Sequence, residues 1–236
     1  GSSNVAIGNN ALSEEVGGGG NVAIGTDCMV KQDGGDTSSS RNNVGIGANA
    51  GYYNVTGTEN VLIGNSAGLG ASGQSHSGNT AIGTSALQDV TTGSYNTVVG
   101  RQAATNITSG TANIAIGSGS ITTATTSTAL VAIGGGSLYN INSTDADGTV
   151  AIGINSFHNA THPAASLGVG SHTGFKVTTG DSNVLIGHYS GYNPASSGTG
   201  ITTGANNTAL GSYTMGYTAS SDITGSDNTA VGYQAL

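Results

Sequence analysis

The residues best suited to chemistry are few. Four of the five histidines, His158, His162, His172 and His188, stand in one stretch with Asp181 among them. Imidazole and carboxylate are common transition-metal ligands, and a pair four apart aligns on one face of a helix. Here Pro163 follows His162 directly and marks a turn, so the spacing predicts surface histidines and no metal site. The Gly-Gly-x-Gly-x-Asp runs of calcium β-rolls are also missing. Glu14-Glu15 is a carboxylate pair of the kind used in acid–base catalysis, but Gly17 to Gly20 follow it and no pocket partner is in sight. That predicts a solvated turn. Gly134-Gly-Gly136 lacks the lysine and the helix start of a phosphate loop. Cys28 is the only cysteine, which excludes a disulfide framework and a thiolate metal cluster. No catalytic residue, metal or cofactor is expected, and the chain is predicted not to be an enzyme.

Composition narrows the class further. Glycine is 42 of 236 residues, about 18% against a usual ~7%. Charged residues are only 7%, Trp is absent, and four basic face twelve acidic residues for a net charge of −8. Such a surface does not suit nucleic acid. No apolar run reaches the ~18 residues of a membrane helix, so no membrane insertion is expected, and no leader can be read. Glycine does not recur every third residue, which excludes collagen, and the abundance of Ile and Val argues against disorder.

What must position any functional group is a repeat. Asn4-Val-Ala-Ile-Gly8 returns as Asn21-Val-Ala-Ile-Gly25 and Asn60-Val-Leu-Ile-Gly64, and so on to Asn228-Thr-Ala-Val-Gly232, thirteen copies in all. The closing glycines are never fewer than 17 residues apart, and longer steps read as insertions. Three residues after each glycine stands a small residue. Next comes a large apolar one, such as Leu12, Met29 or Phe157, or else a glycine with the bulk one place later, as in Gly51-Tyr52 and Gly68-Leu69. Ala104 is the exception. One pocket per repeat is being filled in two ways. Before the next Asn come blocks such as Val90-Thr-Thr-Gly93 and Val177-Thr-Thr-Gly180, which read as a second short strand and a turn.

Gly and β-branched residues in every unit oppose helix. The expected fold is all-β: a parallel β-solenoid (β-roll) of about thirteen coils, a single repeat domain spanning 1–236. Alternation along the first strand assigns the coil core to Val5, Ile7, Val22, Ile24, Ile46, Ile63, Ile82, Val99, Ile116, Ile133, Ile152, Val169, Ile186, Leu210 and Val231. The position between them is also apolar or Gly. A strand apolar on both faces is buried on both, and one coil encloses only one of them. Ala6, Ala23, Ala81, Ala115, Ala132, Ala151, Ala209 and Ala230 are therefore assigned to packing between chains. The leading Asn, replaced by Leu130, Thr149 and Ser166 in three copies, is expected to form a side-chain ladder between coils. The chain begins and stops within the repeat pattern, as a segment of a longer fibre would.

The Asn-x-Ala-Ile-Gly-x-x-Ala motif resembles the head repeats of trimeric autotransporter adhesins of the Yersinia adhesin type. Asn228-Thr-Ala-Val-Gly-Tyr-Gln-Ala-Leu236, with Thr-Thr-Gly-x-x-Asn between copies, is similar to the repeats of phage tail fibres. The resemblance covers nearly the whole chain. It implies a left-handed parallel β-roll assembled as a homotrimer, displayed outside the cell on a cell-surface or virion fibre. It also implies attachment to a host or cell-surface glycan or protein receptor. The His-x-His pairs with which some phage fibres hold iron are absent.

Binding groups on a rigid scaffold sit on loops. The insertions place outward loops near 30–42, 70–78, 139–148, 192–206 and 212–227, and the tyrosine-rich C-terminal part offers Tyr189, Tyr213 and Tyr217 as receptor-binding candidates. Two other readings compete with adhesion. Threonines in register (Thr91, Thr108, Thr125, Thr178, Thr202) suit an ice-binding solenoid, and the neutral Ser/Thr/Asn/Gly surface suits a passive fibre spacer.

Overall fold

A computed structural model of the chain describes residues 2–33, 41–141, 146–192, 203–216 and 224–235. Each repeat glycine lies at φ between +123° and +141°, a region that a Cβ all but closes. The reason for glycine is also steric. A Cβ on Gly83 would stand 2.6 Å from the carbonyl oxygen of Gly100, its counterpart one coil on. The glycines thus let successive coils stack main chain on main chain. Two and four residues later the chain enters the left-handed region again, at Ser85 and Leu87 for example, with φ of 56° and 53°. The residue before each Asn does the same, as at Tyr95 and Ala112. A coil is therefore one short strand closed by left-handed corners.

The strands are three residues each and the fold is all-β. By packing, the chain divides into two compact units, residues 1–113 and 114–236. The first holds β1 (Val5–Ile7), β2 (Val22–Ile24), β3 (Val44–Ile46), β4 (Val61–Ile63), β5 (Thr80–Ile82) and β6 (Thr97–Val99). The second holds β7 (Ile114–Ile116), β8 (Val131–Ile133), β9 (Val150–Ile152), β10 (Leu167–Val169), β11 (Val184–Ile186), β12 (Thr208–Leu210) and β13 (Thr229–Val231). Within each unit every strand pairs in parallel with the next in chain order. Equivalent positions face each other, Val5 with Val22 and Ala132 with Ala151. This is a parallel β-solenoid. No helix of the described residues is long and apolar enough to cross a membrane.

The second strand expected in each repeat does not form among the described residues. In Val90–Gly93 the amides of Thr91, Thr92 and Gly93 all converge on the single carbonyl of Thr108, at 2.8, 3.1 and 3.0 Å. Converging donors cannot build a ladder, which needs one carbonyl per amide. The apolar residue of each block, Val90, Ile107 or Val177, is nonetheless fully buried.

The two faces of the strand are the reverse of the sequence expectation. Ala23, Ala81, Ala115, Ala132, Ala151 and Ala209 are fully buried inside the coil and Ala230 is 4% exposed, so they do not form an outer packing column; Ala6, in the first coil, is exposed. The residues assigned to the core flank them and face outward. Val5, Ile7, Ile46, Ile82, Ile116, Ile133, Ile152, Ile186, Leu210 and Val231 are exposed, and Val22, Ile24, Ile63, Val99 and Val169 are only half-buried. The cause is volume. The opposite wall already sends Leu12, Met29, Leu87, Ile121, Leu138, Phe157 and Met215 into the coil, leaving a small space beside the strand.

That space is filled to measure. A Cβ on Gly45 would lie 2.7 Å from Cys28 Sγ and 3.1 Å from Met29 Cε, and one on Gly168 would lie 2.5 Å from Phe157 Cε2. Opposite Met29 and Phe157 the wall leaves room only for glycine on the strand. The converse also holds. Where the wall offers Gly51 and Gly68, the strand supplies Leu62, whose methyls come within 2.8 and 2.5 Å of a Cβ built on those glycines. The coil of Ala104, the exception in the pocket column, carries Val98 on its strand, and both are fully buried.

The asparagine ladder is present and buried. In the first unit Asn21, Asn43, Asn60, Asn79, Asn96 and Asn113 are fully buried. The Oδ1 atoms of Asn21, Asn43, Asn60, Asn79 and Asn96 each receive the main-chain N–H of the next Asn, at 2.9 to 3.1 Å. The Nδ2 of Asn43, Asn79 and Asn96 donates to the carbonyls of Gly57, Gly93 and Gly110. In the second unit Thr149 and Ser166 keep part of the pattern with hydroxyls, and Asn183, Asn207 and Asn228 restore it.

Candidate functional site

Two surfaces follow from this geometry. The first is the outward strand face. It presents a Val, Ile, Leu or Thr pair in every coil, and its members at the third strand position in β3, β5, β7, β8, β9, β11 and β12 all stand near 36–37% exposed. A row of equivalent apolar side chains, held in register by the parallel ladder, makes a continuous aliphatic stripe along each unit.

The second surface lies on the corners of the second unit. Five residues after the repeat glycine stand Tyr139, His158, Phe175 and Tyr192 in successive coils; two residues after it stand His172, Tyr189 and Tyr213. Because coils stack in register, these become two adjoining columns of rings. Tyr139 stacks on His158 at 4.8 Å and 2°, and His158 on Phe175 at 5.3 Å and 9°. In the other column His172 stacks on Tyr189 at 5.0 Å and Tyr189 on Tyr213 at 5.2 Å. Tyr192 crosses between columns, edge-on to Phe175 and to Tyr189. Exposed His188 stands edge-on to Tyr189 and Tyr213, and Tyr233, 70% exposed, edge-on to Tyr213.

Of the predicted receptor-binding residues, Tyr189 and Tyr213 meet in this belt, and Tyr217 lies outside the described residues. The predicted loops 30–42, 139–148, 192–206 and 212–227 also fall partly outside them. Tyr139, His158, His172, Phe175 and Tyr192 belong to the belt but were not singled out from the sequence as binding groups. Aligning the coils on the repeat glycine is the signal that finds them.

Electrostatics in the belt are mild. Burial, followed by the neighbouring His188 and His158, lowers the pKa of His172. Asn155 Nδ2 donates to its Nε2 at 3.2 Å, so its proton sits on Nδ1, 2.8 Å from Ser171 Oγ. Burial and then Tyr189 raise the phenol of Tyr192.

The remaining chemistry-bearing residues have structural surroundings. Among the described residues no group of three or more His, Cys, Asp or Glu could hold a metal ion. Glu14 pairs with Lys31, and Glu15 accepts the N–H of Gly18. Cys28 is fully buried; burial pushes its thiol up to about 11, so the thiolate nucleophile is not available near neutral pH. His76, in the 70–78 segment, is buried within the asparagine ladder. Its Nε2 donates to Gly68 O and its Nδ1 accepts from Asn79 Nδ2, both at 3.3 Å. Thr91 and Thr161 donate their hydroxyl protons to the carbonyls of Thr108 and Thr178 in the next coil, which commits those protons within the protein.

Comparison of the chain with known protein families, with curated proteins and with solved structures finds no match in any of the three.

Proposed function

We propose that the chain is a non-enzymatic structural and adhesive segment of an extracellular fibre, of the kind carried on a bacterial surface or a virion. It associates with copies of itself as a homotrimer and presents its outer corners and loops to a host or cell-surface receptor. The observation that carries this reading is the aliphatic stripe. The interior of the coil is already filled by the Ala column and the opposite wall, yet seven strands still turn an Ile or Leu outward at 36–37% of full exposure. Side chains of that kind on consecutive coils are covered by another apolar surface in stable proteins, and an identical stripe on a second and third copy supplies it in register. The motif resemblance to trimeric adhesin heads and tail fibres supports the number three.

The test is the solution mass by light scattering after size exclusion. Three chains of 22.8 kDa give 68.4 kDa, and that mass is expected to persist on dilution. Ile116→Lys together with Ile133→Lys is expected to split the assembly while the circular dichroism of each coil is kept. A folded monomer of 22.8 kDa at all concentrations would overturn the proposal.

A further inference from the structure

We infer that the aromatic belt of the second unit is a binding surface for a neutral polysaccharide chain lying along the coil axis. The inference rests on the adhesive reading above and names its ligand class. The belt consists of tyrosines, histidines and one phenylalanine, with no carboxylate, ammonium or guanidinium among its rings. It therefore has no fixed charge among its rings with which to select an acidic or basic partner.

An extended peptide does not fit it. Peptides added to a sheet are held by free main-chain donors and acceptors. Under the belt the amides of His172, Tyr189 and Tyr213 are already bonded to the carbonyls of Ile154, Ser171 and His188, at 2.9, 3.0 and 3.0 Å. An aliphatic protein surface is better matched by the Val/Ile stripe.

A sugar polymer matches on three counts. A pyranose has an apolar C–H face and a rim of hydroxyls, which call for ring surface and polar tips together. The belt supplies both. Its stacked rings present edges and phenol oxygens, while Tyr192, His188 and Tyr233 stand at 61° to 86° to their neighbours and break the stack with rings set crosswise. The second count is period. Ring centroids follow one another at 4.8 to 5.3 Å along each column, the scale of one pyranose unit, so each unit of a linear chain meets the same chemistry. The third is order. The rings are held by one another and by the corners beneath, so binding freezes little rotamer freedom.

The chain has no Trp, and five of its nine tyrosines (Tyr139, Tyr189, Tyr192, Tyr213 and Tyr233) belong to the belt, so its tyrosine fluorescence reports in large part on these rings. The experiment titrates the assembled protein with cellohexaose, chitohexaose and a linear mannan oligosaccharide, with hyaluronan as the acidic control, by fluorescence and calorimetry. At least one neutral oligomer is expected to bind, more tightly as its length grows. Tyr192→Ala and Tyr233→Ala are expected to weaken binding tenfold or more. Tyr189→Phe and Tyr213→Phe keep the stacking and are expected to weaken it severalfold. Tyr95→Ala, at a tyrosine 71% exposed but outside the belt, is expected to change nothing. The inference is overturned if no neutral oligomer binds, if only hyaluronan binds, or if Tyr95→Ala weakens binding as much as Tyr192→Ala. Mass measured on the same samples separates the two readings. Lack of binding at 68.4 kDa removes the glycan surface alone, whereas a glycan-binding monomer removes the trimeric fibre.

Discussion

Exchanging bulk between the strand and the opposite wall of one coil tests the packing argument directly. Leu62 is fully buried, and a Cβ on Gly68 would stand 2.5 Å from its Cδ2. Leu62→Ala opens a cavity between two glycines that have no side chain to collapse into it, so a loss of about 3 kcal/mol is expected. Gly68→Leu by itself forces a second leucine into occupied space and costs about 2 kcal/mol, with a further ~1 kcal/mol for a Cβ at positive φ. The backbone nonetheless accepts leucine there. Gly68 has φ of 54°, and Leu87 and Leu138 occupy the equivalent place at 53° and 51°. The double variant recreates the arrangement of the next coil, where Ala81 on the strand accompanies Leu87 on the wall. It should therefore lie within about 2 kcal/mol of the parent, a coupling of about 3 kcal/mol or more in favour of the pair. Guanidinium unfolding at one fixed protomer concentration measures all four proteins, since assembly shifts apparent stability by mass action. If the two losses simply add, strand and wall are not filling one space and the account of the coil interior is wrong.

Three other outcomes follow from features already described. His76 is held neutral by burial, its pKa lowered to about 4 from the ordinary 6.5. Between those values the unfolded chain binds more protons than the folded one. Stability is therefore whole above pH 6.5 and falls as the pH drops, by roughly 3 kcal/mol once below pH 4. His76→Gln should flatten that part of the pH profile, and an unchanged acid slope would count against the assignment. Gly83→Ala puts a Cβ 2.6 Å from Gly100 O at φ +134° and should cost about 3 kcal/mol or more, whereas Ala112→Gly, exposed at φ 56°, should gain up to about 1 kcal/mol. Thermal melts that rank the two the other way would refute the corner geometry. Asn96→Ala leaves the N–H of Asn113 and the carbonyl of Gly110 without their ladder partner and should cost about 2–4 kcal/mol. Asn96→Thr, which keeps an oxygen as Thr149 does, should cost about half as much, and equal losses would mean that the ladder bond is not what Asn supplies.

The period, the parallel stacking and the asparagine ladder could be read from the sequence because each is a local rule repeated along the chain, the closing Gly in all thirteen copies and the leading Asn in ten. Asn before a three-residue strand and Gly after it leave little choice of backbone. The orientation of the strand could not be read the same way. Ile7 and Ala6 are both apolar, and hydropathy alone sends the larger inward; only the volume contributed by Met29 or Phe157 from the far wall reverses that choice. The clue was nonetheless in the sequence, as Gly45 following Met29, Leu62 beside Gly68 and Val98 with Ala104. The second strand failed for a different reason. β-branched composition predicts extended chain, but three amides sharing Thr108 O is a property of the closed coil. Tyr189 and Tyr213 drew notice by type, while His158 and Phe175 entered the belt only through register.

A chain built of near-identical coils faces a hazard of alignment. Sliding by one whole repeat would bring Gly to Gly and, away from Leu130, Thr149 and Ser166, Asn to Asn, so the backbone of most coils cannot tell neighbouring frames apart. The uneven volumes inside the coils can. Met29 packs against Gly45 and Phe157 against Gly168 with no room for a Cβ on either glycine. A slipped frame would set Phe157 against a strand residue with a side chain, or leave a void where Leu62 should be. The irregular members of the repeat thus act as an address written along the chain, and a version made uniform by consensus would fold faster into more than one frame.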